Sequence, residues 1–297
     1  GKTATRVDSD GTYDLTLSVT GDKQIGEGEP QKLDVLFILD ESNSMMNTWS
    51  GGTRIAQAKK AIGQIIGHDT PYQQNEGLSD NPNLDVQYAL VGFYGGTGWE
   101  TYDDATVLCN WTGDESILYN AIPGWLDDER NNGGTNYEAG FQTGRTVLED
   151  SRDDAQTVVI FISDGNPGYY YDENGYTVGT GNPGSGYNST ALDQAVTKCK
   201  SLNADYFYFV GVTSDVTSDV FNKIVAASPA TTKEAISAST PNDLLEAFQN
   251  IQQQITSITC QNVVMHDVLS EYAEFALDAG QTTADLQFTV KVEQRSG

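Results

Sequence analysis

Val35-Leu36-Phe37-Ile38-Leu39, followed directly by Asp40-Glu41-Ser42-Asn43-Ser44, is the stretch of sequence that decides the fold of this chain. A continuous apolar run of this length is typical of a strand that is covered on both faces, as in a parallel sheet flanked by helices. The polar residues begin where that strand ends. Because open α/β sheets bind ligands outside the carboxyl ends of their strands, this loop is the expected place for a functional site.

The alternation of buried strand and helix continues along the chain. Residues 158–162 and 206–212 are further apolar runs, and residues 86–93 form another candidate strand. Residues 137–148 and 191–202 carry apolar side chains at helical spacing. Strands that alternate with helices predict an α/β domain with a doubly wound, mainly parallel sheet.

Two less regular segments complete this domain. Residues 106–111 are short and mixed in character, which favours an edge strand. Thr240 and Pro241 open a last helix, because threonine caps helices and proline fits the first helical position.

The two ends of the chain have a different character. Residues 13–19 alternate apolar and polar side chains, which indicates a strand with one buried face. Residues 263–264, 275–277 and 286–292 also indicate strands, without helices between them. We therefore expect an α/β domain over residues 31–259, inserted into a β-sandwich that residues 1–30 and 260–297 build together.

Composition excludes several classes of partner. The chain has 42 acidic and 16 basic residues, a formal net charge of −26. Such a surface repels nucleic-acid phosphates and anionic lipid, so we expect neither nucleic acid nor a membrane surface as a partner. No apolar run approaches the roughly 20 residues that a membrane-spanning helix needs.

The loop after the first buried strand has the spacing Asp-x-Ser-x-Ser. In a tight loop, alternate side chains can turn inward together, so Asp40, Ser42 and Ser44 can direct oxygen atoms at one point. Such hard oxygen ligands suit a hard divalent cation. Thr135 precedes a predicted helix, and Asp164 ends the second buried strand, so both belong to the same edge of the sheet.

These five residues predict one divalent metal site with three hydroxyls and two carboxylates. Two carboxylates are few for Ca²⁺, so Mg²⁺ is favoured, with Mn²⁺ and Ca²⁺ as alternatives. The ion should keep a water or accept a carboxylate from a partner. The alternative is that these are ordinary turn and cap residues, since Asp and Ser favour both. A second acidic stretch, Asp172-Glu173-Asn174-Gly175, lacks the spacing of a calcium loop, and a turn is the better interpretation.

The same five residues, in this order and on these elements, resemble the metal-ion-dependent adhesion site of von Willebrand factor type A (VWA) domains and integrin inserted domains. The flanking segments 3–17 and 264–272 resemble those of Gram-positive pilus-tip and cell-wall adhesins. In that family, the VWA domain is inserted into an immunoglobulin-like sandwich. The resemblance extends over essentially the whole chain.

The resemblance implies an extracellular module at a cell surface or pilus tip, anchored to the cell wall in the full-length protein. Its partner would be a host or extracellular-matrix protein, bound through an acidic side chain, beside other pilus or cell-wall subunits. The alternative is a structural role in which the domain organises neighbouring subunits. An enzyme is not expected, because the sequence offers no nucleophile–base pair and no phosphate loop.

Two covalent cross-links are open possibilities. Some of these adhesins carry a Lys–Asn isopeptide bond assisted by a buried acid, for which Lys2 and Asp267 are candidates, but no suitable Asn follows residue 292. The alternative is a solvated lysine and a surface acid. Cys199 and Cys260 each lie near the end of a predicted helix and are candidates for a disulfide, whereas the alternative is that the three cysteines, with Cys109, are buried thiols.

The segment after Asp164 is rich in Tyr, Gly and Asn, the composition of adaptable binding loops. It predicts a wall of the ligand surface beside the metal, built by Tyr169, Tyr170, Tyr171 and Tyr187. The alternative is a surface loop without a partner. Trp99 and Trp125 are candidates either for the rim of that surface or for the core.

Overall fold

The structure, a computed structural model, describes residues 2–6, 13–17, 30–68, 77–96, 104–124, 133–180 and 186–257. The chain divides into two compact units, Gly1–Glu27 with Asn262–Gly297 and, separately, Gly28–Gln261. In the first unit, the described residues form two antiparallel strands, β1 (Lys2–Arg6) and β2 (Tyr13–Leu17). The strands predicted after residue 260 lie outside the described residues, so the β-sandwich stays a prediction.

The second unit alternates strands and helices in the predicted way. Its strands are β3 (Gln31–Asp40), β4 (Thr48–Trp49), β5 (Gly52–Thr53), β6 (Leu84–Phe93), β7 (Ala105–Thr112), β8 (Gln156–Ser163), β9 (Tyr169–Tyr171), β10 (Thr177–Gly179), β11 (Tyr206–Val212) and β12 (Thr232–Ala238). Its helices are α1 (Arg54–Ile66), α2 (Glu115–Ala121), α3 (Tyr137–Leu148), α4 (Ser189–Cys199), α5 (Ser218–Ala227) and α6 (Pro241–Ser257), with 3-10 turns at Asn43–Met46 and Leu78–Asp80.

Six of these strands form one sheet in the order β12-β11-β8-β3-β6-β7. All neighbouring strands are parallel except β7, which runs antiparallel to β6 at the edge. The predicted edge strand is therefore confirmed, as is the mainly parallel α/β sheet. After β3, the chain adds β6 and β7 on one side of this strand. It later adds β8, β11 and β12 on the other side. The point between β3 and β8, where the winding reverses, is where such sheets bind ligands.

The sheet separates two hydrophobic cores. Along β3, Val35, Phe37 and Leu39 face the core that contains α1, α2 and α6, whereas Leu36 and Ile38 face the core that contains α3, α4 and α5. All five side chains are fully buried, as the continuous apolar run predicts. No helix in the described part of the chain is long and apolar enough to cross a membrane.

The last helix begins as the sequence predicts. Thr240 Oγ1 accepts a hydrogen bond from Asp243 N at 3.2 Å, and Asp243 Oδ2 accepts one from Thr240 N at 2.9 Å. This reciprocal pair satisfies two backbone donors that a helix start leaves free. It places α6 so that Leu244, Phe248 and Ile251 pack against the sheet.

Cys199 is a free, fully buried thiol, whose Sγ donates to Ile224 O at 3.5 Å. It belongs to the core beside α4, on the face of the sheet opposite to α6. The two helices that were expected to bring the cysteines together, α4 and α6, lie on opposite faces of the sheet, and the bridge itself stays a prediction. Cys260 itself lies outside the described residues, as do Asp267, Trp99 and Trp125. Lys2 lies in β1, opposite Leu17.

A buried ion pair lies near the amino-terminal end of β3. Asp34 is fully buried in β3, and its carboxylate accepts from Arg152 N at 2.7 Å and from Arg152 Nε at 2.8 Å. Arg152 also contacts Asp85 Oδ2 at 2.9 Å. The chain segment between α3 and β8 is thereby fixed to the strand that carries the site.

We expect Arg152→Ala to lower the free energy of unfolding by about 3–5 kcal/mol, because it leaves the Asp34 carboxylate buried without its charge partner. Urea denaturation followed by circular dichroism measures this loss. Arg145→Ala is the matched control, since it removes an arginine whose pair with Glu149 is exposed on α3, and it should cost about 0.5 kcal/mol or less. Equal losses for the two variants would contradict the role given to Arg152.

Candidate metal centre

The loop after β3 directs its polar groups inward as the Asp-x-Ser-x-Ser spacing predicts. Asp40 is fully buried at the end of β3, and its Oδ1 accepts from Ser42 N at 2.7 Å. Ser42 directly precedes the 3-10 turn Asn43–Met46, which brings Ser44 round to the same side. The hydroxyls of Ser42 and Ser44 lie 3.0 Å apart.

Asp164 follows β8, the strand beside β3, and its side chain is buried. Its Oδ1 accepts from Ser44 Oγ at 2.6 Å, so the two predicted segments meet directly. Its Oδ2 accepts from Arg54 Nη1 at 2.6 Å. The parallel pairing of β3 and β8 is therefore what joins the Asp40 loop to Asp164.

Thr135 reaches the same space from the turn before α3. A Cβ built on Gly165 would lie 3.7 Å from Thr135 Oγ1 and 4.0 Å from Ser44 Oγ, so both hydroxyls border the small volume above Gly165. Thr135 is 7% exposed, and Ser44 is half-buried. All five predicted ligands thus lie at one end of the sheet, where Ser44 and Gly165 are half-buried and the other four ligands are buried.

The set of donors fits a hard divalent cation. Two carboxylates and three hydroxyls are the oxygen ligands that Mg²⁺ accepts, and Mg²⁺ commonly keeps water beside one or two carboxylates. Within the described residues, no group of three or more His, Cys, Asp or Glu side chains gathers where it could hold a metal.

Burial and mutual repulsion make the two carboxylates costly to ionise without a cation. Burial, and after it the charge of Asp164, raises the pKa of Asp40 to about 7. Burial also raises the pKa of Asp164, although hydrogen bonds from Ser44 and Arg54 oppose that rise. A bound divalent ion would lower the pKa of both carboxyl groups, because it stabilises their ionised form.

Residues 35–166 match the family model of the von Willebrand factor type A domain. Residues 35–166 therefore have the VWA fold. The match begins in β3 and ends just beyond Asp164, so it spans all five candidate ligands. The predicted VWA fold is confirmed, and the immunoglobulin-like flank stays a prediction.

Solved structures with the same fold include three pilus proteins. The PilB minor pilin from Streptococcus sanguinis is 16% identical with a TM-score of 0.57, over 78% of this chain and 63% of that one. The pilus adhesin SpaC from Lactobacillus rhamnosus GG is 16% identical with a TM-score of 0.51, over 86% and 34%. The pilus adhesin RrgA from Streptococcus pneumoniae is 13% identical with a TM-score of 0.50, over 77% and 44%.

At these identities the likeness shows a common fold. This chain spans less than two thirds of the length of each of the three structures. No curated protein sequence matches the chain.

The tyrosine-rich segment of this VWA domain forms a hairpin rather than an open binding loop. β9 and β10 pair antiparallel, with Tyr171 opposite Thr177. Asp172 Oδ1 accepts from Asn174 N and from Tyr176 N, each at 2.9 Å, so the acidic stretch is a turn, as the sequence analysis favours.

The prediction that Tyr169 and Tyr171 belong to the ligand surface is wrong, because both are buried, at 8% and 6% exposure. A Cβ on Gly134 would lie 1.8 Å from Tyr169 Cε2, so the ring covers the glycine that precedes Thr135. Tyr171 OH accepts from Asp104 N at 3.1 Å. The apolar rings of both tyrosines serve the packing of the hairpin on the domain.

The other two tyrosines keep some exposure. Tyr170 is half-buried in β9. Tyr187 is also half-buried, and its OH donates to Asp219 Oδ2 at 2.5 Å. Their part in a ligand surface stays a prediction.

Two buried carboxylates that the sequence analysis did not single out fix this hairpin to α3. Asp104 Oδ2 accepts from Asn136 Nδ2 at 2.7 Å and from Thr177 Oγ1 at 2.8 Å. Glu138 Oε2 accepts from Tyr171 N at 2.9 Å. Because Thr135 O also accepts from Gly168 N and Tyr169 N, at 3.0 and 3.1 Å, the hairpin positions the threonine of the metal centre.

Ser163 and Arg54 are two further residues of the site that the motif did not reveal. Ser163 Oγ donates to Asp40 Oδ2 at 2.5 Å. Arg54 lies ten residues after Ser44, at the first position of α1, and no local spacing connects it to the motif. Only its ion pair with Asp164 assigns it to the site.

We expect Tyr169→Ala to lower the free energy of unfolding by about 3 kcal/mol or more, as loss of a large buried ring does. Tyr176→Ala removes an exposed tyrosine from the same hairpin, 43% exposed, and should change stability by about 0.5 kcal/mol or less. Thermal and urea unfolding of both variants measure the difference. If Tyr169→Ala were as stable as the wild type, the hairpin would not be packed as described.

Proposed function

We propose that this VWA domain is the metal-dependent adhesion module of a surface or pilus-tip protein. The single observation that carries the proposal is the convergence of Asp40, Ser42, Ser44, Thr135 and Asp164 at the winding reversal of the sheet. Residues from three separate segments gather there with their oxygen atoms toward one volume. Ordinary turn and cap residues have no reason to converge in this way.

In this proposal the buried residues hold a Mg²⁺ ion, with Mn²⁺ or Ca²⁺ as alternatives. Asp40 and Asp164 supply charge from below, and the hydroxyls of Ser42, Ser44 and Thr135 complete the protein's share of the ligands. The bound ion would act as a Lewis acid that can accept a further oxygen ligand from a partner. The solvent side at Ser44 and Gly165 is where an acidic side chain of a partner can reach it.

The partner we propose is a host or extracellular-matrix protein, and the location is outside the cell, at the surface or on a pilus. The fold that this chain shares with SpaC and RrgA, described as pilus adhesins, supports this proposal. A binding function also agrees with a site that offers ligands for an ion and not an enzyme's nucleophile.

Assembly is the second candidate function. The likeness to PilB, described as a minor pilin, supports a role in which the domain binds other pilus or cell-wall subunits. Both candidates use the same site, so the identity of the bound protein distinguishes them. The comparison measures binding of the domain to immobilised collagen, fibronectin and purified pilin subunits, each with Mg²⁺ and with chelator.

We expect Asp40→Ala to reduce Mg²⁺ affinity by at least about tenfold, because it removes one of the two carboxylates that face the ion. Isothermal calorimetry measures the affinity, and surface plasmon resonance measures the metal-dependent binding of matrix proteins. Asp193→Ala is the control, since Asp193 is an exposed carboxylate on α4. Unchanged Mg²⁺ binding by Asp40→Ala would refute the proposed site.

A further inference from the structure

Arg54 places its guanidinium against a carboxylate of the metal centre. Nη1 contacts Asp164 Oδ2 at 2.6 Å, and Nη2 contacts Asp215 Oδ2 at 3.1 Å. The side chain of Asp164 is fully buried, that of Arg54 is 15% exposed and that of Asp215 is 58% exposed. Because exposed ion pairs contribute little, Asp164 is the partner that matters for Arg54.

This contact leaves both oxygens of Asp164 engaged. Oδ1 accepts from Ser44 and Oδ2 accepts from Arg54. The guanidinium therefore compensates the negative charge that a cation would otherwise find at Asp164. A divalent ion that binds here must act against the positive charge of Arg54.

The placement of Arg54 also has local costs. Arg54 Nε is buried and has no hydrogen-bond partner among the described residues, which costs stability. On the other side, the loop that presents Asp215 begins at Thr213, the only residue other than glycine with a positive φ, 88°, in the described part of the chain. A β-branched residue in that region is strained, and such strain concentrates at functional sites.

We propose that Arg54 is a built-in counter-cation of the metal centre, an inference that rests on the proposed function. Without an ion, Arg54 keeps the buried pair Asp40 and Asp164 from destabilising the domain. With an ion, it lowers the affinity of the site. Arg54 thereby sets the ion concentration at which the adhesion site becomes loaded.

The charge of the side chain is the tested variable. Arg54→Gln removes the charge and keeps hydrogen-bond donors, whereas Arg54→Lys keeps the charge. Arg145→Gln is the matched control, because it removes an arginine from an exposed pair on α3. Each protein is titrated with Mg²⁺ by calorimetry and melted in excess chelator.

In chelator, we expect Arg54→Gln to lower Tm by about 5 °C or more, while Arg54→Lys and Arg145→Gln stay near the wild type. In the titration, we expect Arg54→Gln to bind Mg²⁺ about tenfold more tightly than the wild type, since a nearby positive charge is gone. The melting experiment needs no ion, so it tests the counter-charge independently of metal binding.

Wild-type binding of Mg²⁺ together with equal or weaker binding by Arg54→Gln would overturn the inference and leave the proposed function intact. If neither the wild type nor Arg54→Gln binds Mg²⁺, the proposed function is overturned. The inferred effect of Arg54 on ion affinity is then overturned as well. Binding by Arg54→Gln alone would support the inference in its strongest form, with Arg54 excluding the ion.

Discussion

Two carboxylates, Asp40 and Asp164, lie buried at the carboxyl ends of β3 and β8, and their burial is the constraint on which the local structure depends. The parallel pairing of the two strands makes their proximity unavoidable. Burying two such groups is costly unless donors or a cation face them. Each carboxylate accepts hydrogen bonds from two residues. Ser42 N and Ser163 Oγ donate to Asp40, whereas Ser44 Oγ and Arg54 Nη1 donate to Asp164.

The domain contains two further buried acids near the site. Asp104 and Glu138 do not face the metal centre, but they fix the hairpin of β9 and β10 onto the start of α3. That hairpin holds Thr135 through two backbone hydrogen bonds. The position of Thr135 is therefore supported by a paired hairpin.

Aromatic packing below the site adds to this support. Tyr137, at the first position of α3, packs edge-on against Phe161 of β8 with ring centroids 4.8 Å apart, and its hydroxyl donates to Gly165 O. Phe161 in turn contacts Phe209 of β11 at 5.0 Å. The chain segment that carries Asp164 is therefore tied to α3 both by ring packing and by a hydrogen bond.

Local sequence determined the parallel α/β sheet and the five candidate ligands. An apolar run that ends in Asp-x-Ser-x-Ser specifies a buried strand and its loop within a few residues, because strand burial and turn chemistry are short-range properties. The helix start at Thr240 followed for the same reason. Tertiary structure decided what depends on residues far apart in the chain: Arg54 against Asp164, Asp104 against Thr177, and the burial of Tyr169 against Gly134. For Tyr169 and Tyr171 the tyrosine-rich composition predicted exposure wrongly, since a tyrosine ring can pack in a core while its hydroxyl finds a partner. The composition of the segment does not show that a distant glycine, Gly134, makes room for the ring of Tyr169.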